Sequence, residues 1–453
     1  MMCSFTRFGL GMVLVAVLVS GIGNSTQIGL AQNCTVTVKP GESIQKAVDA
    51  ASVGAVVCLE AGTWQENLAI SKSMTLRGVG RDRVIVNSAD EGKPVIRIES
   101  DGVIEVSIEG FAVVKAKGIL GGDGIAVRGI PVVRGMPRVS IKDLDASENE
   151  GFGISVVGAA QVSLTNCKLS GNSGGLGAIS SAQVDLIDSI VSGNKFYGLT
   201  IENSSQANLT NMHISENGDG LYAGGDAIVN LTRSVLSGNQ RYGVEAAYRA
   251  RVSLLNSTVS GNQYGLSLAL SQTNLIDSTV SNNEEDGLLV FGGSVSLEGS
   301  AISGNGQHGL FIDGSGGQVS LMRSSVSQNG RDGISMLGSV ATKLEVHSSI
   351  IKGNGTNPDC KKLGPEFAHI CNGITVQAAF QTEIADSEIT SNTDWGVAAR
   401  LKQCGYDHPL FVYEVEFQGK NVIEGNNTSG NQNGMGNPGW KGPVIPDGQM
   451  CLP

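Results

Sequence analysis

An eleven-residue phrase recurs along most of this chain. It reads apolar-x-Leu-x-(Asn/Asp)-Ser-x-apolar-Ser-Gly-Asn, and a glycine and an aliphatic residue follow three or four positions later. The first residues of successive copies, called anchors here, are Val139, Val162, Val184, Ala207, Val229, Val252, Thr273, Val295, Val319, Leu344 and Thr382. Most spacings between them are 21 to 25 residues. A fixed period near 22 residues predicts a solenoid, in which each repeat buries its apolar face only against its neighbours.

Two polar columns keep a constant distance from the anchors. An asparagine stands ten residues after every anchor, at Asn149, Asn172, Asn194, Asn217, Asn239, Asn262, Asn283, Asn305, Asn329, Asn354 and Asn392. Asparagine tolerates the left-handed backbone region, and amides stacked at the β spacing of about 4.8 Å can bond to one another. We therefore expect a sharp bend and an asparagine ladder once per coil. A mostly serine column stands five residues after the anchors, and Cys167 occupies it in one coil as a small ladder residue.

Aliphatic residues recur at the anchor, two and seven positions later, and after the glycine. Alternation within such short segments is typical of strands with one buried side. Three strands per coil, all running the same way around it, must pair in parallel with the next coil. The predicted fold is therefore all-β, a parallel β-helix with three-strand coils of about 22 residues. A leucine-rich repeat has a similar period, but neither its helix nor its leucine-rich consensus is present.

The two ends differ from the repeats. Residues 1–31 combine a short charged region, a dozen apolar residues and small residues before Gln32, which is typical of a signal peptide. Ser43 to Ala51 has the spacing of a short amphipathic helix, which we expect to cap the open solenoid. The predicted divisions are an N-terminal cap with irregular first coils over 32–102, β-helix repeats over 103–400 and a C-terminal cap over 401–453.

The cysteines fit an exported protein. Six fall into local pairs in sequence: Cys34 with Cys58, Cys360 with Cys371, and Cys404 with Cys451. Six cysteines allow 15 connectivities, so this pairing rests on proximity alone. Bridges of this kind form in oxidising compartments, which agrees with secretion or a periplasmic location.

Several segments resemble the pectin-lyase-like superfamily of right-handed β-helices. They are the opening 39–48 (KPGESIQKAV), the turn 61–67 (AGTWQEN) and the Ser-Gly-Asn-x-x-x-Gly-Leu repeats, and the likeness covers Lys39 to about Arg400. Within that superfamily, the chain is similar to bacterial repeat proteins that include polysaccharide-processing domains. The resemblance implies a right-handed β-helix and a polysaccharide ligand. The catalytic signatures of pectin methylesterases, polygalacturonases and pectate lyases are incomplete here.

Charge excludes one class of partner. The formal charge of −11 and the absence of a Lys/Arg-rich stripe disfavour DNA or RNA binding. No segment after the first 31 residues is apolar enough to span a membrane. We expect a monomer.

Candidate chemistry lies close to the third residue after each ladder asparagine, where the chain leaves the bend. Acids and aromatics concentrate there, at Phe152, Tyr197, Asp219, Tyr242, Tyr264, Asp286, His308, Asp332 and Trp395. Asp286, His308 and Asp332 belong to consecutive rungs about 5 Å apart. The two carboxylates, about 10 Å apart, would lie at the limit for an inverting glycosidase.

A second hypothesis groups Tyr264, Asp286, His308 and Arg331 as an acid/base set for lyase or epimerase chemistry on a uronic acid. Tyr197, Tyr242 and Trp395 are candidate sugar-stacking platforms. Carboxylates near the turns could bind Ca²⁺, but no spaced metal motif or cofactor motif is present. The leading prediction is an exported protein that binds, and as an open alternative also cleaves or epimerises, a polysaccharide. The rival is a non-catalytic surface or periplasmic scaffold.

Overall fold

The chain winds into a right-handed parallel solenoid of about fifteen coils. The computed structural model describes residues 34–118, 121–129, 136–361, 371–376, 380–399, 414–426 and 450–452. Each complete coil runs along three faces, which we call the first, second and third faces, and in most coils each face carries its own strand. Across the described residues the strands pair in parallel, each with the equivalent strand one coil away. The predicted all-β, right-handed parallel β-helix is confirmed.

The strands fall into three columns. First-face strands are Leu68–Ile70, Ile96–Glu99, Ile125–Arg128, Phe152–Val157, Gly174–Ile179, Tyr197–Glu202, Asp219–Gly224, Tyr242–Ala247, Ile374–Val376, Val397–Ala399 and Met450–Cys451. Second-face strands are Val36–Val38, Val56–Leu59, Met74–Gly78, Glu105–Glu109, Arg138–Lys142, Gln161–Thr165, Gln183–Ile187, Gln206–Thr210, Ile228–Thr232, Arg251–Leu255, Phe380–Ala385 and Glu414–Gln418. Third-face strands are Gly62–Gln65, Val84–Asn87, Ala112–Val114, Asp145–Ser147, Lys168–Ser170, Ile190–Ser192, His213–Ser215, Val235–Ser237, Thr258–Ser260, Thr279–Ser281, Ala301–Ser303, Ser325–Ser327, Ile350–Lys352, Glu388–Thr390 and Val422–Glu424.

In four consecutive coils, the first-face and second-face strands merge into one long strand. These strands are Tyr264–Ile276, Leu288–Glu298, Leu310–Met322 and Ile334–His347. In the coil before them, the same corner is a turn with Tyr248 and Arg249 at φ of 55° and 73°. The merged strands pair across both faces, so the two faces form one continuous sheet.

The anchors stack as the period predicts. Val162 pairs with Val184, and Val229 pairs with Val252. The longest spacing, from Leu344 to Thr382, keeps the same register because the extra residues lie after the ladder asparagine. Inward aliphatic side chains from all three faces form one core along the axis. Alternation holds within each short strand, as in Gln161–Thr165, where only the valine and leucine are buried.

The asparagine ladder is present, but its backbone differs from the prediction. Asn239 Nδ2 donates to Asn262 Oδ1 at 2.9 Å, and the same oxygen accepts from Asn239 N at 2.9 Å. Nδ2 also donates to the carbonyl of Ile214. The left-handed residue is the one before each ladder asparagine, for example Gly238 at φ 64°. The expectation that asparagine itself adopts that conformation was wrong: the residue before it makes the bend, and the asparagine amide bonds to its counterpart in the next coil.

Cys167 occupies the second ladder. Its backbone N–H donates to Ser189 Oγ at 3.0 Å, as Ser234 N donates to Ser257 Oγ at 3.1 Å in a later coil. Burial raises the pKa of its thiol to about 11. A thiol that stays protonated at neutral pH is a poor nucleophile, which agrees with a structural role.

The N-terminal helix spans Ile44–Ala50, one residue shorter at each end than predicted. Ser43 caps it by accepting from Lys46 N, and Ile44 and Val48 are buried in the core. Disulfides join Cys34 to Cys58 and Cys360 to Cys371. Cys451 is also disulfide-bonded.

Three predictions lie wholly or largely outside the described residues: the signal peptide, Cys404, and most of the C-terminal cap over 401–453. Within the part of the chain that the structure describes, no helix is long and apolar enough to cross a membrane.

Candidate functional site

The predicted site column lies on the outer edge of the first face, directly before a column of glycines. At Gly243, an added Cβ would meet Val259 Cγ1 at 2.4 Å and the ladder amide of Asn262 at 2.9 Å. The asparagine ladder therefore requires glycine at this position. The preceding residue lies at the outer edge of the coil, where the chain turns onto the first face, and neighbouring residues cover its side chain in the coils of Asp219, His308 and Asp332. Tyr197, Asp219, Tyr242, Tyr264, Asp286, His308 and Asp332 follow one another in this column.

Four tyrosines in four consecutive coils form what we call the tyrosine strip: Tyr197, Tyr222, Tyr242 and Tyr264. All four are partly exposed. The ring centroids of Tyr197 and Tyr222 are 5.7 Å apart, and those of Tyr242 and Tyr264 are 5.5 Å apart, both pairs tilted. Offset or tilted ring pairs of this spacing are mutually stabilising. The structure therefore brings Tyr197, Tyr242 and Tyr264 to one surface and adds Tyr222.

An arginine and two carboxylates lie within the strip. Arg241 donates from Nε and Nη2 to the two oxygens of buried Asp219 at 3.0 and 2.5 Å. Its Nη2 is also 3.7 Å from Glu245 Oε2, and its guanidinium lies 4.6 Å from the Tyr242 ring centroid. Burial, and then the charge of Asp219, raise the pKa of Glu245. A depression of about 260 Å³ beside this group is lined by Lys195, Phe196, Tyr197, Gly218, Asp219, Gln240 and Arg241.

Asp286, His308 and Asp332 do lie in one column, but they are not equally accessible. Asp332 is completely buried, His308 is 7% exposed and Asp286 is partly exposed. His308 Nδ1 is 3.7 Å from Asp332 Oδ2, and the His308 ring lies 5.7 Å from that of Phe311. Only Asp286 presents a carboxylate to the surface.

The acids of this column hold the next coil in place. Asp332 Oδ1 accepts from Asn372 N and its Oδ2 accepts from Thr375 Oγ1, each at 2.8 Å. Asp286 Oδ1 accepts from His308 N at 2.8 Å in the same way. Burial raises the pKa of Asp332 to about 7. These contacts favour a structural role for Asp332 over a catalytic one.

Asp286 is the better candidate for proton transfer. Burial is the largest cause and raises its pKa to about 6. The hydrogen bond from the His308 N–H and the charge of Arg331 lower this pKa, whereas the charge of Glu285 raises it. Tyr264 stands one rung away, where burial, Glu285 and Asp286 raise the pKa of its phenol. A carboxyl group that titrates near 6 can donate or accept a proton at near-neutral pH.

Trp395 is placed at the far end of the column and is 2% exposed. Its backbone N–H donates to Asn372 Oδ1 at 2.9 Å. Because the ring is buried, it offers no face to a sugar at the surface, and we do not include it in a binding site.

Two larger depressions lie away from the column. One of about 670 Å³ lies against early second-face strands, where Ser107, Ser140 and Ser163 are among its lining residues. The other, of about 510 Å³, lies against early first-face coils and includes Arg97 and Arg128. Across the described ranges, no group of three or more His, Cys, Asp or Glu side chains is placed to hold a metal ion. The Ca²⁺ hypothesis therefore stays a prediction.

A family model described as "Right handed beta helix region" matches residues 94–252 and 219–407. Together the two matches extend over more than half of the chain. This protein belongs to the right-handed β-helix family. No curated protein matches it in sequence.

Several solved structures resemble this β-helix protein at low identity. The A-module of a mannuronan C-5 epimerase from Azotobacter vinelandii is 17% identical, with a TM-score of 0.34 over 85% of this chain and 90% of that one. A periplasmic alginate epimerase is 12% identical, with a TM-score of 0.39 over 85% and 84%. A fragment of bacteriophage Phi29 gene product 12 is 14% identical, with a TM-score of 0.44 over 81% and 68%. At these values the likeness concerns the fold only.

Reasoning from the sequence missed three residues of this β-helix protein's strip: Tyr222, Arg241 and Glu245. Tyr222 and Glu245 pair with each other on adjacent strands, three positions after Asp219 and Tyr242. The signal was available, because Tyr222 stands between the aliphatic residues Leu221 and Ala223, which are buried, and alternation along a strand turns the residue between them outward.

Proposed function

We propose that this protein binds a polysaccharide along the tyrosine strip. The observation that carries the proposal is a partly exposed tyrosine on the first face of each of four consecutive coils, with the rings in contact in two pairs. Tyrosine offers an apolar ring face to the C–H face of a sugar and a hydroxyl for hydrogen bonding. Four rungs at about 4.8 Å extend over roughly 14 Å, enough for a short run of sugar units. Nearby Glu245 and Arg241 can bond to sugar hydroxyls.

Export belongs to the same proposal. The disulfides Cys34–Cys58 and Cys360–Cys371 fit a protein that folds in an oxidising compartment. Polysaccharides of the cell surface or the surroundings would meet it there.

Binding is tested with a panel of polysaccharides and two variants, Tyr222→Ala and Tyr242→Ala. Loss of one aromatic contact, worth about 0.5–1.5 kcal/mol, should weaken binding by roughly 2- to 10-fold in affinity electrophoresis or calorimetry. Ile190→Ala is the matched control, because Ile190 is 46% exposed on the third face. Equal affinity in the wild type and both tyrosine variants would remove the strip as the site. Failure of every polymer to bind would favour the non-catalytic scaffold.

Processing of the bound chain is a second candidate function, favoured by Asp286. This carboxyl is partly exposed, its pKa is raised to about 6, and it follows Tyr264 at the end of the strip. We propose it as the proton donor or acceptor in bond cleavage or epimerisation. Asp286→Asn should abolish turnover while leaving binding at the tyrosines. Unchanged turnover in that variant, measured by release of reducing ends or by product NMR, would exclude this role.

A further inference from the structure

We infer that the polysaccharide bound by the tyrosine strip is uncharged, and that the strip discriminates against polyuronates. The inference rests on the proposed function and adds the chemical class of the ligand. It comes from the balance of charged side chains around the four rings.

Acidic groups outnumber basic groups on this surface. The acidic residues on the first face and its entering turns, from the coil of Tyr197 to that of Asp286, are Glu202, Asp219, Glu245, Glu284, Glu285 and Asp286. The basic residues there are Lys195 and Arg241, and Arg331 approaches Asp286 from farther along the axis. Asp226 and Arg249, in the turns that leave the first face, neutralise each other through two hydrogen bonds.

The central cation is already engaged. Both oxygens of Asp219 accept from Arg241, and Glu245 lies on the same guanidinium. Recognition of a carboxylate by arginine depends on paired N–H donors, and the Nε–Nη2 pair of Arg241 is committed to Asp219. A sugar carboxylate that took this pair of donors would have to displace Asp219, which would leave a buried carboxylate without its partner. A carboxylate at the other edge of the guanidinium would still meet the negative charges of Asp219 and Glu245.

Lys195 does not restore the balance. Its ammonium lies 5.0 Å from the Phe196 ring, in the exposed turn at the end of the strip. One cation at an edge can meet one sugar carboxylate, whereas a polyuronate carries one on every residue.

The titration of the strip agrees with a negative local field. After burial, the largest cause that raises the pKa of Tyr197 is the charge of Asp219, and for Tyr222 it is the charge of Glu202. A bound polyanion would meet the same carboxylates that disfavour the tyrosinate anion. Neutral sugar hydroxyls, in contrast, can donate hydrogen bonds to Glu202 and Glu245.

Matched polymers test the inference directly. Several neutral glycans, including a glucan and a xylan, are compared with the same backbones after oxidation of primary hydroxyls or grafting of carboxylates. At low ionic strength, the carboxylated form of a bound backbone should bind at least about tenfold more weakly. Added salt should reduce the difference in affinity between the neutral and carboxylated forms, because it screens repulsion between exposed charges.

Two variants with one fewer carboxylate sharpen the test. Glu202→Gln and Glu245→Gln should each reduce the ratio of neutral to carboxylated affinity, whereas Glu60→Gln, in an exposed position of the first coil, should not. Tighter or equal binding of the carboxylated form to the wild type would overturn the inference and leave the proposed function standing. Absence of binding for both forms of every backbone would instead refute the proposed function.

Discussion

Replacement of Asp332 by asparagine should stabilise this protein above neutral pH and change its stability little in acid. Asp332 is completely buried, and burial raises the pKa of its carboxyl from 3.8 to about 7. Below pH 3.8 the group is protonated in both the folded and the unfolded chain. Between the two values, the folded state keeps a proton that the unfolded state has released, so stability falls as pH rises. Above pH 7 the carboxyl is ionised in both states, and the folded protein bears the full free-energy cost of the buried charge.

The size of the effect follows from the shift. About three pH units at 1.36 kcal/mol each give about 4 kcal/mol of stability lost by the wild type between pH 4 and pH 7. Asparagine has no charged form and avoids this loss. Its geometry suits the position, since Asn372 occupies the same column one coil later, accepts from Trp395 N at 2.9 Å and donates to Thr375 Oγ1 at 2.9 Å.

Urea unfolding followed by circular dichroism at pH 4, 6 and 8 measures the difference between the variant and the wild type. Other titrating groups cancel in that difference. Asp123→Asn makes the same change at a partly exposed carboxylate that accepts from Phe152 N at 2.8 Å, so its effect should be smaller. A difference for Asp332→Asn that does not grow between pH 4 and pH 8, or a variant less stable at pH 8, would refute the reasoning.

Two further predictions concern the ladders. Asn239→Ala should lower the free energy of unfolding by several kcal/mol, because it leaves buried backbone and amide groups without partners at about 1–3 kcal/mol each. Asn230→Ala is the control, since it removes only an exposed amide contact of 3.0 Å. In the same urea titration this control should cost about 1 kcal/mol or less. Cys167 should resist a thiol reagent at pH 8 in the native protein and react after unfolding, because it is 2% exposed and its pKa is raised to about 11. Rapid native labelling, followed by mass spectrometry, would contradict the structural assignment.

The repeat architecture could be predicted from the sequence because it depends on local spacing. Each anchor fixes which side chains face inward, and the ladder asparagines pair as their offset requires. The backbone at the bend could not be assigned correctly, because two adjacent residues tolerate the left-handed region. The structure shows that the residue before the asparagine adopts it.

The candidate site was only partly predictable for a different reason. The sequence places Asp286, His308 and Asp332 in one column, but exposure depends on the neighbouring coils. Asp332 is covered where Asn372 and Thr375 of the following coil bond to it. Those residues come after the insertion that carries Cys360 and Cys371. Because the insertion breaks the regular spacing, the repeat period does not predict their positions in the coil.

The asparagine ladder also determines how this surface can change in evolution. Each ladder amide bonds to its counterpart in the next coil. Removal or duplication of one whole coil would therefore leave the ladder of hydrogen bonds uninterrupted. Rings on the first face can therefore be moved along the axis only in steps of one rung, about 4.8 Å. The distances between ligand-binding side chains on such a surface are therefore multiples of the rung spacing. Adaptation to a different polymer repeat would proceed by gain or loss of coils as well as by substitution.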